Sequence, residues 1–75
     1  MNNNLRQIRT ASELGDIVRH ARKKQGITQA DLALITEKSH VLLRDIETGK
    51  GSVSFASVLQ VLNELGIRMY VEPGQ

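Results

Sequence analysis

Residues 38–50, KSHVLLRDIETGK, hold most of what this chain can offer another molecule. A Ser opens the segment and Gly-Lys closes it, the punctuation of a helix. Placed on a helix at about 100° per residue, Leu43 and Ile46 define a buried face, and Leu42 falls on its shoulder. Val41, Arg44, Asp45 and Thr48 turn the other way, with His40 at the edge near the start. Arg44 carries the fork that grips guanine O6 and N7, or a phosphate. Val41 suits a thymine methyl, and Ser39 and His40 can donate to a phosphate or a base edge. The plain alternative for Val41 is a small contact with a neighbouring helix. Asp45 can accept from cytosine N4, but a carboxylate is costly beside phosphates, so orienting a neighbouring Arg is its favoured role.

Other chemistry is poorly served. The two histidines, His20 and His40, lie on different helices without ligand spacing, so a metal site is not expected. There is no Gly-rich phosphate loop, no Ser/His/Asp set and no paired-carboxylate motif. No catalytic residue and no cofactor is expected, and the chain does not read as an enzyme. With no Cys, disulfides and thiolate metal sites are excluded, which fits a reducing cytoplasm. No apolar run approaches the roughly 20 residues of a membrane helix, and the N-terminus lacks a signal peptide's apolar region. A cytoplasmic protein without a membrane partner is the expectation.

Net charge is only +2, but it is unevenly spread. Residues 1–28 hold six bases against two acids (+4), and residues 29–75 hold four against six (−2). Taken by itself, this spread favours a solvated helix end over a nucleic-acid surface. Arg6 and Arg9 fit either a flexible arm reaching along DNA or simple tail charges.

The elements that must position these groups are helices. Residues 1–11 read as a flexible arm with an Asn run at positions 2–4. A first helix is expected from Ser12 as N-cap, with Leu14, Ile17, Val18 and Ala21 on one face and Gly26 as its stop. Thr28 caps a second helix, with Asp31 placed as a capping-box partner and Ile27 and Leu32 as a hydrophobic staple. It ends around Thr36. Ser39 starts the third helix. Ser54 caps a fourth, in which Phe55, Val58, Leu59, Leu62 and Leu65 repeat at helical spacing before Gly66. The period then changes. Ile67, Met69 and Val71 alternate with Arg68, Tyr70 and Glu72 in a short strand ended by Pro73. A lone strand leaves backbone groups unpaired, so it needs a partner. Another subunit is the nearest source, and the segment around Leu5–Ile8 is the alternative. With a core built almost without aromatics in 75 residues, a partner subunit would also help stability.

Two helices meeting at a short turn, with the second positioning a third, make a helix-turn-helix arrangement. RKKQGITQADLA followed by RDIETGK resembles the Xre/phage-repressor class of helix-turn-helix proteins over roughly residues 12–66. The flanks LGDIVRHARKKQGITQ and GKGSVSFASVLQVLNELGIRMYV are similar to its HipB-like subgroup. The resemblance implies an all-α, lambda-repressor-like bundle of four to five helices, with a C-terminal strand pairing across a dimer. It implies a domain at 12–66 and a dimerisation strand and tail at 67–75, with Ile67, Met69 and Val71 at the interface. It implies that Gln29 touches a DNA phosphate from the start of the second helix, where backbone N–H groups also point. It implies a scaffold ion pair between Arg22 and Glu47.

Two departures stand out. Most relatives carry Gly where Glu37 stands and an apolar residue where Lys38 stands. Either Glu37 adopts a left-handed conformation, or the turn has another shape.

The resulting expectation is a dimeric, sequence-specific repressor binding a double-stranded inverted-repeat operator. Ser39, His40, Val41 and Arg44 would read bases; Gln29, Thr48 and Lys50 would hold phosphates. The subgroup further implies an antitoxin with a HipA-like kinase toxin as partner. A protein-binding module with weak DNA affinity and a stand-alone regulator remain as alternatives.

Overall fold

Every helix begins at a hydroxyl. In the computed structural model, which describes residues 5–74, the elements are α1 (Ala11–Lys24), α2 (Gln29–Thr36), α3 (His40–Thr48) and α4 (Phe55–Glu64). Thr28, Ser39 and Ser54 cap α2, α3 and α4, each accepting a hydrogen bond from the backbone N–H three residues on. The first helix differs from the expected start. Its cap is Thr10, not Ser12. Thr10 accepts from the Glu13 N–H, and Glu13 Oε1 accepts from the Thr10 N–H at 3.0 Å, closing a full capping box. At Thr28 only the hydroxyl half of such a box forms. The Asn run lies outside the described residues.

The core is aliphatic. Val18 of α1, Leu32 of α2, Leu43 of α3 and Val61 and Leu62 of α4 are fully enclosed, so all four helices contribute. Ala33, Ile46 and Leu65 complete it, and Leu14, Ile27, Leu42, Val58 and Ile67 pack around it. Leu42 is thus a shoulder residue. Phe55 departs from expectation. It is the first residue of α4 and stands largely in solvent, while Val61 takes a core place instead.

Two backbone features set the spacing of the helices. Gly15 lies flat against α3, where a Cβ would overlap the carbonyl oxygens of Ile46 and Glu47. This close approach brings the inner face of α1 onto the end of α3. Between α2 and α3, Glu37 takes φ 56°, ψ 40°, the left-handed conformation, the first of the two outcomes open to this turn. The N–H groups of Glu37 and Lys38 return to Leu34 O and Ala33 O, closing α2 and leaving room for Ser39 to cap α3.

Beyond Gly66 the chain forms no regular element and no bridge to any other segment among the described residues. The alternating segment therefore forms no strand within the chain, and Leu5–Ile8 does not pair with it. Ile67 packs on the core, whereas Met69, Tyr70 and Val71 face solvent.

Candidate nucleic-acid interface

The expected reading side chains come together on one surface of α3. Ser39 is exposed, although its hydroxyl is engaged as the cap of its own helix. His40 and Val41 occupy the exposed first turn, and Val41 is 54 % exposed. Arg44 follows one turn later, with its guanidinium free in solvent apart from a loose approach of Nε to Asp45 Oδ1 at 3.9 Å. Asp45 is half-buried beside Gly51 and reaches Arg44 only through that loose contact.

The phosphate candidates differ in readiness. Lys50 is exposed at the end of α3. Thr48 is exposed as well, but its hydroxyl donates to Arg44 O at 2.9 Å. It offers an acceptor in that rotamer and must turn to donate to a phosphate. Gln29, the first residue of α2, is not a free arm. Its Nε2 donates to Glu47 Oε1 at 3.2 Å, and its Oε1 lies 2.7 Å from His40 Nε2.

Behind this surface lies the ion pair. Arg22 Nε donates to Glu47 Oε2 at 2.6 Å and Nη2 donates to Oε1 at 3.0 Å, a two-pronged contact shielded from water. Arg22 Nη1 also donates to Ile27 O, so the guanidinium ties α1, the α1–α2 loop and α3 together. The hydrogen bond to Glu47 raises the Arg22 pKa above its already high ordinary value. The result is a continuous chain, Arg22 to Glu47 to Gln29 to His40, running from the interior to the exposed first turn of α3. The link from Gln29 to the other two was not foreseen. It joins the first residue of α2 to both the first residue and the last turn of α3, and no local sequence signal marks it.

Among the described residues, no group of three or more His, Asp or Glu side chains is arranged to hold a metal ion. No helix is long and apolar enough to cross a membrane.

A short α2, a tight turn and an α3 presented outward define the helix-turn-helix class. Residues 18–70 match the helix-turn-helix family (HTH_3), and the chain belongs to that family. It is 34 % identical over 71 residues to an uncharacterized HTH-type transcriptional regulator, y4mF, of Sinorhizobium fredii, covering 93 % of each chain. The fold is also that of a chain in the HipA-HipB-O2-O3 complex, with a TM-score of 0.81 at 17 % identity over 95 % of this chain and 100 % of the other. The restriction-modification controller protein C.AhdI of Aeromonas hydrophila is similar as well. Its TM-score is 0.69 at 24 % identity, over 77 % of this chain and 88 % of that one.

Proposed function

We propose that this protein is a sequence-specific transcriptional repressor that binds an inverted-repeat DNA operator as a homodimer. The observation that carries this reading is the set of solvent-facing side chains on α3, Ser39, His40, Val41 and Arg44, held outward by α2 and the left-handed turn at Glu37. In the major groove Arg44 discriminates guanine, Val41 meets a thymine methyl, and His40 reads a base edge. The free N-terminal N–H groups of α2, together with Gln29, Thr48 and Lys50, seat the adjacent phosphates. Two protomers, joined through Ile67, Met69 and Val71, place their α3 helices in half-sites about 34 Å apart. The likeness in fold to a chain of the HipA-HipB-O2-O3 complex supports a further step. In that step the protein is the antitoxin of a kinase toxin resembling HipA, and it represses its own operon from the cytoplasm.

A second reading has one observation in its favour. Leu34 is 78 % exposed and Ile35 50 % exposed on α2, an apolar surface that suits a protein contact. A module that chiefly neutralises a toxin would use it and bind DNA weakly. Selection from a random duplex library separates the two. The repressor recovers an inverted repeat with half-sites one helical turn apart, and recovery of no common sequence contradicts it. A kinase-like reading frame in the adjacent gene distinguishes the antitoxin from a stand-alone regulator.

A further inference from the structure

The hydrogen bonds at Gln29 have a direction, and the direction reaches the exposed surface. Glu47, ionised against Arg22, can only accept. The Gln29 amide must therefore turn its nitrogen to Glu47 and its oxygen to His40, as the 3.2 Å and 2.7 Å contacts require. That oxygen also only accepts, so His40 Nε2 must carry a proton. In the neutral imidazole the remaining nitrogen, Nδ1, is then an acceptor.

We infer that Gln29 is a positioning residue that sets the polarity of His40. With Nε2 tied to Gln29, neutral His40 presents Nδ1 as an acceptor from the first turn of α3. The base edges that answer an acceptor in the major groove are the exocyclic amino groups of adenine (N6) and cytosine (N4). Guanine, with only O6 and N7, and thymine, with O4, offer no donor there. The polarity is imposed from inside the protein, by the carboxylate that also anchors α1 to α3. The ligand class is thus a base pair that places an amino group opposite His40. This inference rests on the DNA-binding reading above.

Two measurements on the full chain test it, one without DNA. In the ring nitrogen NMR spectrum of the free protein at about pH 8, neutral His40 should show a slowly exchanging proton on Nε2. Gln29→Met, of similar length but without hydrogen-bonding atoms, should lose that slow exchange. A wild-type ring protonated on Nδ1 overturns the inference whatever the DNA result. In library selection at the same pH, one half-site position should prefer adenine or cytosine by at least about fivefold. That preference should vanish in His40→Ala and fall sharply in Gln29→Met, by more than at any other position. A guanine or thymine preference that His40→Ala abolishes, or an unchanged preference in either variant, overturns it. Failure to select any sequence while the NMR signature holds overturns the DNA-binding reading, and with it the assigned base.

Discussion

Arg22 and Glu47, 25 residues apart, meet in a two-pronged buried contact with Nε–Oε2 at 2.6 Å. Removing the carboxylate leaves a guanidinium shielded from water without its counter-charge. Such losses cost about 3–5 kcal/mol, a large share of the roughly 5–15 kcal/mol that holds a small domain together. Glu47→Ala should therefore lower the melting temperature steeply. An unchanged melting temperature would show that the pair does not hold α1 to α3.

Glu37 carries strain that its neighbours do not. Its left-handed backbone costs a residue with a Cβ about 1–2 kcal/mol, and Gly avoids that at about 0.5–1 kcal/mol of extra chain entropy. Glu37→Gly should thus raise the melting temperature by a few degrees, with the α3 surface unchanged. A lower melting temperature would mean that the Glu37 side chain contributes more than the strain removes.

How much of this was legible follows from how local each signal is. The caps at Thr28, Ser39 and Ser54 could be read because a hydroxyl and the amide three residues on suffice. The start of α1 was misplaced although T-A-S-E spells the box, because Ser12 offers a competing hydroxyl. The box prevails because Glu13 can reach back to the Thr10 N–H. The strain at Glu37 was visible as one of two outcomes, and the structure selects between them. The coupling of Gln29 to Glu47 and His40 was not legible, since it depends on how the start of α2 packs along α3. The alternation at Ile67–Val71 was visible, but pairing it requires backbone from elsewhere.

The capping box gives a pH dependence with a definite sign. Glu13 accepts from the Arg9 N–H first and the Thr10 N–H second, and both lower its pKa below the ordinary 4.5. A carboxyl whose folded pKa is depressed contributes stability above its unfolded value and loses it as pH falls through the folded one. Amide protection in the first turn of α1 should decline as pH falls below the ordinary carboxylate range, and Glu13→Gln should remove that decline. A decline of equal size in Glu13→Gln would assign the effect to another group.

The exposed Met69 and Val71, with Ile67, carry the dimer proposal. Removal of residues 67–75 should weaken self-association and DNA binding together, because a single protomer engages only one half-site. A truncated chain that remains dimeric at micromolar concentration would place the interface elsewhere.

The central claim is that α3 reads DNA sequence, and a salt titration addresses it most directly. Affinity for the selected inverted repeat and for a scrambled duplex would be followed as salt rises. Log affinity should fall linearly and steeply with log salt for both, from phosphate contacts. The repeat should stay at least about a thousandfold tighter throughout. Arg44→Ala should erode that preference more than it changes the slope. Equal affinity for the two duplexes at every salt concentration would contradict the account.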